Sequence, residues 1–183
     1  MNGARILGVV LAGGQSRRFG SDKALALIGG RTLLDRAVAT LERQCDAVVV
    51  AGRDDAPVAV VADRPQAGMG PLGGLNAALH HAAANGFDAV LSIPVDGMDL
   101  PDDLIGELSP GPAHCDSAPV IGLWPVGAGP ALDALMATAE PRARSMRAFA
   151  CAIGARAVPL SRQPFNINTP ADRAAAQEPH HGL

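Results

Sequence analysis

Four short apolar runs, Ile6 to Leu11, Ala47 to Ala51, Val58 to Ala62 and Ala89 to Ile93, are rich in Val, Ile and Leu, and each gives way to Gly, Asp or Pro within two residues. Unbroken apolar runs of this length suit strands covered on both faces, so they predict buried parallel strands. Leu33, Leu34, Ala37, Val38 and Leu41 recur at helical spacing between the first two runs, and Leu75, Ala78, Leu79 and Ala82 do so before an Asn85-Gly86 stop. Strands alternating with helices predict an α/β fold, a Rossmann-like, doubly wound, mostly parallel sheet with helices on both faces.

Beyond Pro101 the pattern is less regular. The stretch Ser109 to Pro130 is rich in Gly and Pro, with one strand expected near Val120 to Trp124 and no role assigned to the rest. Helices are expected around Leu132, Leu135 and Met136 and around Met146, Phe149 and Ile153. A further helix should start at Thr169-Pro170-Ala171-Asp172, where a capping residue precedes a proline suited to the first helical position and an acid at N3. No repeat or long linker divides the chain. The expectation is one domain over residues 1–175, with a first half to about residue 100, a second half after it, and a flexible tail over residues 176–183.

Charge and cysteine content exclude several classes. With 15 Lys and Arg against 18 Asp and Glu, the net charge of −3 offers no general surface for nucleic acid or anionic membrane. Cys45, Cys115 and Cys151 are widely spaced, which argues against a disulfide framework or a zinc site. Ile6 to Ala12 is too short for a membrane span and is followed by a cationic loop rather than a cleavage site, so a cytoplasmic protein is expected.

That loop, Leu11-Ala-Gly-Gly-Gln-Ser-Arg-Arg-Phe-Gly-Ser-Asp-Lys23, leaves the first strand where α/β folds bind ligands. Gly13 and Gly14 are adjacent, which fails the G-x-G-x-x-G dinucleotide pattern, and Ser21 and Asp22 separate Gly20 from Lys23, which fails the Walker pattern. Three cations, Arg17, Arg18 and Lys23, suit the larger charge of a nucleoside triphosphate. Taken alone, the loop could equally be a solvated turn.

The loop resembles the signature of the Rossmann-like nucleotidyltransferases, with Phe19 where Met is commoner. Val61 to Leu75, Ile93 to Pro101 and Phe165 to Asp172 resemble, in order, further segments of the molybdenum cofactor guanylyltransferase family within that superfamily. The resemblance implies an enzyme that transfers GMP from GTP to the terminal phosphate of molybdopterin with release of pyrophosphate. GTP and the molybdenum cofactor are then its partners, with molybdoenzymes or their chaperones as candidate further ones. Cytidylyl transfer to the same cofactor and sugar-phosphate nucleotidyl transfer are the nearest alternatives, and a non-catalytic nucleotide-binding module is a more distant one.

A phosphate monoester has its second pKa near 6, so the acceptor is already an anion at neutral pH and no strong general base is required. The work falls to cations and Mg²⁺, and Asp96, just beyond the Ala89 to Ile93 run, is the expected metal ligand, as Mg²⁺ takes few protein carboxylates. Asp99 is a weaker candidate. By resemblance, Arg18 and Lys23 contact the phosphates, with Arg17 assisting, while Leu11, Ala12, Gly13 and Gly14 approach the nucleotide. Asp63 corresponds to an acid near the guanine, its alternative being a strand-end turn. Gly70, Pro71, Leu72, Gly73 and Gly74 are expected along the nucleoside, because glycines at a helix entry favour close approach of a ligand over helix propensity. Asn166 and Asn168 correspond to acceptor-binding residues. Trp124 is expected in the core or beside the acceptor, and His80, His81 and His114 in surface or packing roles.

Overall fold

The computed structural model describes residues 3–13, 22–137, 140 and 143–166. Strand β1 (Ile6–Leu11) is buried at every position, and its alternate residues face two different cores. Ile6 and Val10 lie in one core with residues of helices α1 (Leu33–Glu42) and α3 (Leu104–Leu108). Leu7, Val9 and Leu11 lie in the other with α2 (Gly70–Ala84), α4 (Gly129–Ala137) and α5 (Met146–Ala152). Covering both faces explains why the strand's sequence shows no polar alternation.

Seven strands form the main sheet, in which β1 is flanked by β4 (Ala47–Ala51), then β5 (Ala59–Val61), on one side. On the other side come β6 (Ala89–Pro94), β9 (Gly122–Pro125), β8 (Ala113–Cys115) and β10 (Arg156–Val158). Pairing is parallel from β5 through β6, with Val10 opposite both Val50 and Ile93, and parallel again between β8 and β10. Only β9, among the described residues, runs against both of its neighbours. The doubly wound, mostly parallel sheet expected from the apolar runs is therefore present. Two short pairs lie outside it, β2 (Leu27–Ile28) with β3 (Arg31–Thr32), and β7 (Gly97–Met98) with β11 (Phe165–Asn166).

Local chemistry sets the element ends. The Thr32 hydroxyl accepts from Asp35 N at 3.0 Å and caps α1, a contact whose loss typically costs about 1 kcal/mol. α2 begins at Gly70, five residues before the expected apolar stripe, with Pro71 in the first turn, where its missing N–H is harmless. Ser109 to Pro130, left without a role by the sequence, holds β8, β9 and a 3-10 turn at Val126–Ala128. Trp124 belongs to the core: it is fully buried, its ring centroid lies 5.3 Å from that of Phe149, and its indole N–H donates to Ser92 Oγ at 2.8 Å. The helix expected from Thr169 and the tail lie outside the described residues.

Candidate active site

The carboxyl ends of β1, β4 and β6 meet at one edge of the sheet. Ala12 N donates to Ala51 O at 2.9 Å and Val95 N to Leu11 O at 3.1 Å, so the three turns leaving these strands are tied backbone to backbone. The tie is closest at Gly52, whose φ is 82° and where a Cβ would stand 2.4 Å from both Gly13 Cα and Gly13 N. No side chain fits there, and the φ value independently favours glycine. The turn after β4 thus rests directly on the start of the cationic loop.

Lys23 re-enters from that loop on a 3-10 turn, Lys23–Leu25, and its Nζ lies 2.5 Å from Asp96 Oδ2. Both side chains are more than four-fifths covered, at 14% and 18% exposure. Asp96 sits between β6 and β7, at the position the sequence predicted for a metal ligand. No group of three or more His, Cys, Asp or Glu gathers to enclose a metal among the described residues. A single carboxylate nonetheless fits Mg²⁺, which draws most of its ligands from water and substrate phosphates rather than from a protein cage.

A second ion pair stands beside the first. Asp22 accepts from Ala24 N at 3.1 Å through Oδ1, capping the 3-10 turn, and from Arg53 at 2.6 Å through Oδ2. Arg53, which follows Gly52 directly, also donates to Asp55 O at 3.2 Å. The sequence reading missed Arg53, although the rule that singled out Asp96, a charged residue just past a strand's carboxyl end, applies to it equally.

Gly13, Gly52, Arg53, Asp54, Asp63 and Gly70 border a cleft of about 550 Å³. Backbone N–H groups of Gly68 and Met69 donate to the Asp63 carboxylate, but its Oδ1 is buried with no partner among the described residues, and burial pushes its pKa above the usual carboxylate value. That oxygen is turned toward α2, 3.7 Å from where a Gly74 Cβ would stand. A buried carboxylate oxygen without a donor favours the neutral acid, which is the direction of the shift.

The glycines at the start of α2 divide by cause. Gly70 borders the cleft at φ 67° with open space around it. At Gly73 a Cβ would meet Met69 Cβ at 2.7 Å, and at Gly74 it would meet Leu11 Cδ2 at 2.8 Å and Ala51 Cβ at 2.9 Å. Packing of α2 onto β1 and β4 therefore requires glycine at Gly74, while at Gly73 the crowding comes from Met69 at the helix's own start and from Asp63 and Arg64. The Leu11 side chain is core, and Pro71 and Leu72 line a different cavity of about 410 Å³ with Met136 and Met146.

β11 brings the segment expected to bind the acceptor to the same edge, since Asn166 is registered opposite Gly97, the residue after Asp96. Gly14, Arg17, Arg18 and Asn168, and the side chain of Asn166, lie outside the described residues. Asp99 adopts φ 60° and lines a separate small cavity with Arg36, Arg43 and Arg162. His80 pairs with Asp133 at 3.0 Å on the α2–α4 surface, and buried His114 bonds Cys115 O at 2.8 Å. Neither approaches the cleft's lining. Among the described residues no helix is long and apolar enough to cross a membrane.

A sequence model of the MobA-like NTP transferase domain matches residues 8–158. The molybdenum cofactor guanylyltransferase of Acidiphilium cryptum is 40% identical over 96% of each chain. Among solved structures, molybdopterin-guanine dinucleotide biosynthesis protein A from Archaeoglobus fulgidus superposes with a TM-score of 0.63 at 18% identity, covering 94% of this chain and 96% of that one. The 2-C-methyl-D-erythritol 4-phosphate cytidylyltransferase of Thermus thermophilus superposes with a TM-score of 0.59 at 16% identity over 94% and 96%. At these identities the two structures establish the fold, which is common to guanylyl and cytidylyl enzymes.

Proposed function

The chain belongs to the MobA-like NTP transferase family, and from that membership we propose that it transfers GMP from GTP to the terminal phosphate of molybdopterin, releasing pyrophosphate and forming the guanine dinucleotide cofactor. The observation that carries the reading is the Lys23–Asp96 pair at the sheet edge, beside a cleft bordered by Asp63. A cation for phosphate oxygens and a carboxylate for Mg²⁺ share one place there. In this reading the residues after about 100 carry the acceptor, and they join the first half of the chain through the β6–β9 and β7–β11 pairs.

An oxygen of the acceptor phosphate attacks the α-phosphorus of GTP, a new P–O bond forms, and the bond to the bridging oxygen of the β-phosphate breaks. Both reactants are anions, so catalysis consists of holding them together and stabilising charge on the leaving pyrophosphate. Lys23, with Arg18 by resemblance, supplies positive charge to the phosphates. Asp96 would hold Mg²⁺, whose chemistry when bound is to neutralise phosphate charge. Asp63 suits guanine because that base presents the N1–H and N2–H₂ donors a carboxylate accepts. Asn166 and Asn168 serve the pterin-bearing acceptor, and the protein works in the cytoplasm.

Pyrophosphate release is measured with Mg²⁺ and the molybdenum cofactor, comparing GTP, CTP, ATP and UTP, with Asp96→Ala as control. Acceptor-dependent release with GTP, lost in the variant, is the expected result. A preference for CTP would keep the chemistry and replace the named product, and binding without turnover of any nucleotide would overturn the enzymatic assignment.

A further inference from the structure

The two residues after β4 hold both ends of the cationic loop. Gly52 touches Gly13 at the loop's start, and Arg53 grips Asp22 at its end. Between those points the chain has only eight residues, 14–21. Asp22 also builds the 3-10 turn: it accepts from Ala24 N through its side chain and from Leu25 N at 3.1 Å through its backbone, while Ala26 N donates to Lys23 O at 3.1 Å. Whatever fixes Asp22 therefore fixes where the Lys23 ammonium stands relative to Asp96.

Arg53 is suited to that task. Its side chain is 15% exposed and is held from two directions, by Asp22 Oδ2 and by Asp55 O, whereas Asp22 is 44% exposed. An ion pair this open on one side adds little to folding stability. Its planar, forked guanidinium instead fixes geometry, which a flexible ammonium would do less well.

Resting on the nucleotidyl-transfer reading, we propose that Arg53 is a positioning residue for that reaction: through Asp22 it sets the turn that presents Lys23 to the phosphates and to Asp96. Arg53 borders the cleft, but its guanidinium is engaged by Asp22 and by Asp55 O, and its effect on the reaction runs through Lys23. A misplacement of about 1 Å at a reacting centre can reduce the rate about 10²-fold, so the pair affects rate far more than stability.

Steady-state pyrophosphate release is measured with GTP, Mg²⁺ and the molybdenum cofactor for Arg53→Gln, Asp22→Asn, the double variant, Arg53→Lys, and Arg53→Gln combined with Lys23→Ala. Either single change should lower kcat/KM by about tenfold to 10²-fold, and the double variant should be no worse than the poorer single one, as expected for residues acting as a unit. Arg53→Lys should recover part of the loss. With Lys23→Ala already present, Arg53→Gln should add nothing. Multiplying losses in the Asp22→Asn double variant, or an undiminished effect of Arg53→Gln without Lys23, would mean direct contact with the nucleotide and would overturn the proposal, as would unchanged rates. If the wild-type protein turns over no nucleotide, the functional reading fails separately and the same variants are compared by calorimetric binding of inorganic tripolyphosphate with Mg²⁺. Arg53→Gln must then weaken binding only when Lys23 is present; equal weakening in both backgrounds, or none in either, overturns the role.

Discussion

Lys23 Nζ and Asp96 Oδ2 stand 2.5 Å apart, joining a turn that follows β1's loop to the end of β6. In the proposed reaction Lys23 serves the phosphates and Asp96 the metal. Removing Asp96 should abolish the metal-dependent step, lowering kcat by about 10³-fold or more, while Lys23→Ala should lower it by about 10²-fold, as for loss of a group that stabilises developing charge. Titrating Mg²⁺ against rate for each variant checks the assignment. A raised Mg²⁺ requirement in Asp96→Ala but not in Lys23→Ala is expected, and an unchanged Mg²⁺ dependence in Asp96→Ala would show that Asp96 does not hold the metal.

Asp63 should couple base recognition to pH. Its folded-state pKa is raised from 3.8 by burial, which outweighs the Gly68 and Met69 donors. The stability contribution from its protonated form is then fully present below the unfolded pKa and is lost as pH rises through the folded one. Guanine donors favour the ionised form, so GTP affinity should rise with pH over that window, and Asp63→Asn should flatten the dependence. Isothermal titration of GTP from about pH 4 to 7, spanning the carboxylate range, measures this; a slope unchanged in the variant would remove Asp63 from base recognition.

Gly52→Ala should destabilise the protein by about 2 kcal/mol or more, because the new methyl would sit 2.4 Å from Gly13 backbone atoms at φ 82°, combining left-handed strain with a steric clash. Urea denaturation gives the number. A loss under about 0.5 kcal/mol, the range of ordinary surface substitutions, would show that the two turns can separate freely.

Ser92→Ala should leave the Trp124 indole N–H without its acceptor inside the core, which costs about 1–3 kcal/mol. Ser92→Thr would keep a hydroxyl and should recover part of that loss. Because Trp124 is the only tryptophan, its fluorescence follows both unfolding and local change.

Thiol reactivity should separate the three cysteines. Burial, with the Asp46 charge adding to it, pushes the Cys45 thiol up to about 12, Cys115 is buried, and Cys151 is exposed. Iodoacetamide at neutral pH should label Cys151 first, because the thiolate is the reactive form. Peptide mass mapping before and after denaturation reads the order.

The fold's first half was legible because long apolar runs carry their own burial. Each of the four predicted strands is present, but the third, trimmed to Ala59–Val61, is an exposed edge of the sheet rather than a buried strand. β8 and β10 have three residues each, too few for any period to show, and they exist through pairing with distant chain. The Gly29-Gly30 turn between β2 and β3 did leave a readable signal: both φ values are positive, at 55° and 78°, as two-residue hairpins require. At the site, Asp96 and Lys23 were found from strand ends and motif, but the 31-residue separation between Asp22 and Arg53 hides their bond from any local pattern. The sheet contact that requires glycine at Gly74 is equally hidden, since a glycine forced by helix-on-sheet packing looks the same in sequence as one that admits a ligand.

The reversal of β9 has an evolutionary consequence. Since β8 runs with β6 and β9 runs back, residues 116–121 form a hairpin tip on the same edge as Asp96, fastened there by Ser92 Oγ donating to Val120 O at 2.7 Å. The tip hangs from strands that contribute none of the nucleotide contacts proposed for Lys23, Asp63 and Asp96. Its exposed residues Asp116 and Ser117 can change without disturbing those strands, whereas Ile121, fully buried at its base, cannot.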